Sequence, residues 1–286
     1  MTLRMKKIVL FILIIAYSTV VKAQELSLLK VRMPAHKLAA FTLGGGRYFY
    51  SIQSVSGRDT IRTPYIYTWA GIYQDEINGE YVPYAICRTI RGRVPLDTVA
   101  VYCLDRNLSV RFKYPDGVVY AFPFKDGLSL VHNELVRIDW SFAKYGVVNR
   151  DGVLVLPMEN DVLVITGGKL VSFDEESGMI TCYDHKGHFL YSHRFYYPPD
   201  YYPEDIADIM RVAIYKPDVF SYEEHDYGDE NEKQKNCLFK AMLSCILLDY
   251  SSAEYYLLQS MKGFDLSTRR AAKKNLKFVK SRLGEK

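Results

Sequence analysis

Apolar and polar positions follow two periods along the chain, and the change from one to the other divides the molecule. From about residue 26 to 197, β-branched and aromatic residues alternate with polar ones in short runs, and no long stretch carries an apolar face every three to four residues. RYFYSIQSV, TPYIYTWAGIY, YVPYAI, TVAVYCL and LSVRFKY read as strands. Successive side chains of an extended chain leave it on opposite sides, and these residue types suit a pleated, half-buried surface. Ser56-Gly57, Asn78-Gly79 and Asp105-Arg106-Asn107 supply turns between them. The body is therefore expected to be mainly β, built of antiparallel hairpins that close as a propeller-like array or stay an open meander.

Past Cys237 the period becomes 3.6 residues. Leu238, Met242, Cys245, Ile246 and Leu248 mark a helix, and a second is expected from a cap at Ser251 or Ser252, with Tyr255, Leu258 and Met261 on its apolar side. A third is expected from Ser267 or Thr268, with Ala272, Leu276, Val279 and Leu283 in one stripe against Arg269, Arg270, Lys273, Lys274, Lys277 and Lys280. A short helix over 203–214 fits Pro203 in a first turn, with Glu204 and Asp205 at its positive end.

These patterns predict four segments: a signal peptide at 1–23, a β-hairpin domain at 24–200, a short helix and acidic linker at 201–235, and a helical module at 236–286. The first has Arg4, Lys6 and Lys7 before an apolar run too short to span a bilayer, then a small residue at the expected cleavage point between Ala23 and Gln24. The predicted address is export, to the periplasm or cell surface, with no transmembrane segment after cleavage. The linker holds Glu223, Glu224, Asp226, Asp229, Glu230 and Glu232 and lacks the regular alternation of a calcium loop.

Within the β region Asp116-Gly117, Asp151-Gly152 and Lys186-Gly187 are turn dipeptides, and their glycines are spaced by 35 and 35 residues. Gly127 and Gly168 each precede a short apolar strand, 10 and 16 residues after Gly117 and Gly152. Phe124-Lys125-Asp126-Gly127-Leu128, followed by Tyr145-Gly146-Val147-Val148-Asn149-Arg150-Asp151-Gly152 and the strand to Pro157, resembles the WG repeat of exported bacterial proteins, with Tyr145 where that family usually has Trp. The third copy keeps Tyr183-Asp184-His185-Lys186-Gly187 but has Ile180-Thr181 in place of the aromatic-Gly pair. The resemblance is good over 122–157 and weaker to 195. It implies a tandem β scaffold or binding surface and supplies no catalytic residue.

Composition changes this picture in three places. Lys and Arg number 37 against 33 Asp and Glu, and loss of residues 1–23 removes Arg4, Lys6, Lys7 and Lys22, leaving 33 against 33. That balance argues against nucleic acid as partner. The cysteines, Cys87, Cys103, Cys182, Cys237 and Cys245, are odd in number and too few for a disulfide frame; Cys87 with Cys103 on neighbouring strands is one candidate pairing. Most of the 24 tyrosines alternate along strands, as cross-strand pairs and core require, but Tyr196, Tyr197, Tyr201 and Tyr202 sit among Pro198, Pro199 and Pro203, which keep them out of regular strands. They form the candidate patch for a protein or glycan partner.

Candidate chemistry is sparse. Cys182, Asp184, His185, His188 and His193 have metal-ligand character, but five residues separate His188 from His193, which would point them to opposite sides of a strand. Gly44, Gly45 and Gly46 precede no helix and no Lys-Ser/Thr, so a phosphate cradle is not expected. No catalytic, metal or cofactor motif is present, and an enzyme is the less favoured class. The reading is an exported, non-catalytic binding or scaffold protein of the cell envelope, set against an envelope hydrolase or carbohydrate-binding protein.

Overall fold

The computed structural model describes residues 36–42, 48–56, 59–63, 67–77, 79–91, 98–134, 143–198, 210–211, 214–215 and 230–284. Ala23 and Gln24, the glycines at 44–46, Tyr201 and Tyr202, most of the helix expected at 203–214 and the acidic stretch 216–229 lie outside them. Among the described residues no helix is long and apolar enough to cross a membrane.

The chain is mainly antiparallel β with a C-terminal module of three helices. Strands pair with their neighbours in sequence, so each sheet is a run of hairpins. The first sheet holds β1 (His36–Thr42), β2 (Tyr48–Ser56) and β3 (Asp59–Arg62). The second holds β4 (Trp69–Ile77), β5 (Glu80–Arg91), β6 (Thr98–Leu104) and β7 (Val110–Lys113). The third is β8 (Tyr120–Ala121), β9 (Leu128–His132), β10 (Tyr145–Asn149) and β11 (Leu154–Asn160). The fourth is β12 (Val162–Thr166), β13 (Lys169–Asp174), β14 (Met179–Asp184) and β15 (Phe189–Arg194). The helices are α1 (Glu230–Ile246), α2 (Tyr250–Ser260) and α3 (Leu266–Gly284).

The three four-stranded sheets are copies of one design, with their last turns 44 and 35 residues apart at Asp105, Asn149 and Asp184. The last hairpin of each closes on an Asx turn: Asp105, Asn149 and Asp184 each accept, at one side-chain oxygen, the N–H groups two and four residues ahead, at 2.8–3.0 Å. Three residues past each is a left-handed residue, Leu108 (φ +63°), Gly152 (+80°) and Gly187 (+85°). The first hairpin of each sheet has a second left-handed turn, with Gly79 (+80°), Asp126-Gly127 (+53°, +80°) and Gly167-Gly168 (+55°, +68°). Paired positive φ values match the twist of the flanking strands. Gly117 belongs to neither set, since it lies in the connection between β7 and β8. The repeat equivalent of Gly152 and Gly187 is thus Leu108; the 35 residues from Gly152 to Gly187 are a true repeat step, whereas those from Gly117 to Gly152 join non-equivalent positions.

The described chain divides between Tyr114 and Pro115 into two compact units, inside the stretch 24–200 expected to be one domain. In the first unit Ile52, Ala70, Ala85, Cys87 and Leu104 form a core. The register pairs Cys87 with Tyr102 and Ile86 with Cys103, so the two thiols leave the sheet on opposite faces. Both are free, and the candidate disulfide is absent. Burial pushes the Cys103 thiol up to about 12 and that of Cys87 higher still.

In the second unit the fourth sheet is covered on both faces, which explains why β12 reads VLVIT without alternation. Leu163, Ile165 and Leu170 face the third sheet's Leu130, Tyr145, Val147 and Leu156. Val162, Val164, Val171, Phe173, Ile180 and Cys182 share a core with Leu238, Met242, Cys245, Leu257, Ala272 and Val279 of the helices. The helical module is therefore built onto the sheet.

Helix ends fall where side-chain acceptors occur. α1 starts at Glu230, seven residues before the apolar period is visible, with Glu230 and Glu232 in its positive first turn. It stops before Leu248, which is left-handed (φ +62°). Asp249, not Ser251 or Ser252, caps α2, accepting the Ser252 N–H at 3.1 Å. Asp265 caps α3, accepting from Ser267 N–H at 3.0 Å and Thr268 N–H at 3.2 Å. Asp takes these places because its short carboxylate reaches the orphan N–H groups and carries charge toward the positive end of the helix.

Candidate binding surface

The tyrosine segment follows directly from β15. Phe195 is buried and its N–H donates to Gly178 O at 2.8 Å. Tyr196 is next, and Asn275 of α3 brackets its backbone, accepting the Tyr196 N–H at 2.9 Å and donating to its carbonyl at 2.8 Å. Asn275 is fully buried and occupies a position on the apolar stripe of α3. Lys274 Nζ lies 4.5 Å from the Tyr196 ring centroid. Tyr197 turns the other way, its hydroxyl donating to Glu175 O at 3.4 Å and its ring lying against Gly178. Both tyrosines are half-buried. The structure thus places Tyr196 and Tyr197 in a seam joining β15, the β13–β14 turn and α3.

The neighbouring groups are also engaged. His193 stacks on Phe278 at 4.0 Å with 5° between planes, and burial lowers its pKa against an opposing hydrogen bond with Asn275. Arg282 lies 4.0 Å from the Tyr191 centroid, and the Tyr191 and Tyr250 hydroxyls are hydrogen-bonded. His188, by contrast, is exposed at its turn with Nδ1 at 2.9 Å from Asp184 Oδ2. A register shift between Cys182 and Tyr183 adds one residue, Leu190, to β15, so the five-residue spacing does not set His188 and His193 on opposite sides as expected, yet among the described residues no group of three metal-ligating side chains gathers.

Sequence reading gave no sign of two internal braces. One is ionic: Lys144 Nζ donates to Asp161 Oδ1, and the Glu175 N–H donates to Asp161 Oδ2 at 2.9 Å. Arg211 donates to Asp161 O and to Glu175 Oε2, each at 3.0 Å. Burial, then the like charge of Asp161, raises the Glu175 pKa, with Arg211 and Lys144 opposing. The second brace is aromatic, running from Tyr120 to His132 (5.2 Å), Tyr145 (5.5 Å) and Tyr215 (4.6 Å). The Tyr215 hydroxyl accepts Leu163 N–H at 2.8 Å and donates to Leu163 O at 2.7 Å, so it satisfies the open edge of β12.

An open apolar surface lies elsewhere in the second unit. Val153 is 58% exposed, Leu154 39%, Phe189 62% and Leu190 44%. They belong to the last hairpins of the third and fourth sheets, which meet where a Cβ on Gly187 would lie 2.6 Å from Val155 O. Only glycine fits that approach. The signal available in the sequence was two adjacent apolar residues soon after each turn glycine, Val153-Leu154 and Phe189-Leu190, where strict alternation would expose one.

Comparison with known proteins gives no relative: no family model, curated protein or solved structure matches the chain.

Proposed function

We propose that this chain is an exported, non-catalytic binding or scaffold protein whose β repeats present an apolar surface to a partner protein in the cell envelope. The observation that carries this reading is the exposure of Val153, Leu154, Phe189 and Leu190 on two hairpins that abut at Gly187 and Val155. Apolar side chains exposed on neighbouring hairpins with fixed turns are a cost in water and a gain under a partner. The resemblance of residues 122–157 to WG repeats supports the same role. The hydrolase alternative has less support, because the charges of the ionic brace, buried Asp161 and Arg211 with partly exposed Lys144 and Glu175, are spent on one another and on backbone groups.

The test is affinity capture from an envelope extract with the full chain and with a Leu154→Asp/Phe189→Asp variant of unchanged circular dichroism. One protein is expected to be enriched by the natural chain and to fall at least about tenfold with the variant, as loss of one or two apolar anchors implies. Equal recovery by both rejects this surface.

A further inference from the structure

Helix α3 carries seven Lys and Arg residues and no Asp or Glu between Leu266 and Gly284. Its inward face is spent on Thr268, Ala271, Ala272, Asn275, Leu276 and Val279, and Phe278 is stacked on His193. On the outer side Leu266, Arg270, Lys273, Lys277 and Lys280 follow one another at three- or four-residue steps, Arg269 lies beside Arg270, and all six are exposed. The first turn of this face is apolar: Leu266 is 60% exposed, and Phe264, two residues earlier, is 82% exposed.

Phe264 is not on a loose loop. The turn from Met261 to Asp265 is fastened by the buried Gln234 of α1, whose Oε1 accepts the Asp265 N–H at 2.9 Å and whose Nε2 donates to Asp265 O at 3.0 Å. Ser260 Oγ donates to Gln234 O at 3.1 Å. A Cβ on Gly263 would lie 2.1 Å from Gln234 Oε1, so the turn is closed tightly on that amide. The fold thus holds a phenyl ring outward at the head of a basic stripe.

We propose that this face seats the protein on an anionic phospholipid bilayer, with Phe264 and Leu266 entering the headgroup layer and Arg269, Arg270, Lys273 and Lys277 facing lipid phosphates. The two halves of the patch together select this occupant. A basic stripe alone would suit any polyanion, and bases stack on an exposed Phe, but an aliphatic Leu266 beside it gains more in an apolar layer and the chain without residues 1–23 has no excess of basic charge for a nucleic acid. A bilayer interface rewards both charge and apolar insertion. Attachment of this kind is peripheral and reversible, and it leaves the hairpin surface of the third and fourth sheets a separate site.

The experiment is co-sedimentation of the full chain with vesicles of phosphatidylcholine and of equimolar phosphatidylcholine and phosphatidylglycerol, for the natural protein, Lys273→Glu/Lys277→Glu and Phe264→Ser/Leu266→Ser. All positions are exposed, so matching thermal midpoints serve as the control for folding. The apolar N-terminal segment is common to all three proteins, and differences between them isolate α3. The natural chain is expected to favour the anionic vesicles, and each variant to bind them at least about tenfold more weakly. The proposal is overturned if the charge reversal leaves binding unchanged. It is equally overturned if only the charge reversal matters, since the helix is then a face for polyanions in general.

Discussion

At the scale of single residues, conformation in this chain is set by short carboxylates and amides placed next to backbone N–H groups. Asp105, Asn149 and Asp184 close equivalent hairpins in the same way, and Asp249 and Asp265 do the corresponding work at helix starts. Hydrogen bonds from Thr268 and Ser267 hold the Asp265 carboxyl at about 2. Because the folded value lies below the unfolded one of about 3.9, its contribution to stability is complete above pH ~4 and is lost as the pH falls toward 2. Asp265→Ala is expected to destabilise by about 1 kcal/mol at pH 7, the usual cost of a lost cap. The gap from the natural chain should narrow below pH 4, which urea unfolding at a series of pH values would measure. A gap independent of pH down to 2 would mean that the carboxylate is not the acting group.

At the scale of elements, the four-stranded sheet is the repeating unit and its edges need covering. Tyr215 supplies one such cover, using a single hydroxyl for both the N–H and the C=O of Leu163 on β12. Tyr215→Phe keeps the ring stacked on Tyr145 and removes the hydroxyl, so it should cost about 2 kcal/mol through the unsatisfied main chain. Denaturant midpoints would show it; a neutral result would mean that water replaces the hydroxyl. This brace was not legible in the sequence because it joins residues 52 apart, and nothing local marks Tyr215 as an edge partner. The strands and helices were legible, since alternation and the 3.6 period are local consequences of burial on one side. The repeat frame placed Gly152 and Gly187 at equivalent turns but misassigned Gly117, because glycine is not obligatory at the left-handed position: Leu108 holds that place in the second sheet. The tyrosine segment was recognised as irregular, but its partners, Asn275 and Glu175, come from distant elements and turn Tyr196 and Tyr197 into a seam.

At the scale of the whole molecule, each of the two units has a core of its own, and the second joins two β repeats to the helices without a break. Sheet residues such as Val164, Phe173 and Ile180 and helix residues such as Met242, Leu257 and Val279 belong to one buried cluster. The surfaces assigned to a partner protein and to a membrane depend on this continuity, because it fixes the exposed hairpins and the exposed face of α3 within one body. Removal of Asn275, which holds the backbone of Tyr196 from within α3, should weaken the union of helix and sheet. The most direct measurement is native-state hydrogen exchange on the full chain and on Asn275→Ala. Amides of α1 and α3 and of β13 and β14 should open with a common free energy, lowered together by the substitution. Helices that exchange quickly over a fully protected sheet, with Asn275→Ala affecting the helices alone, would contradict the account.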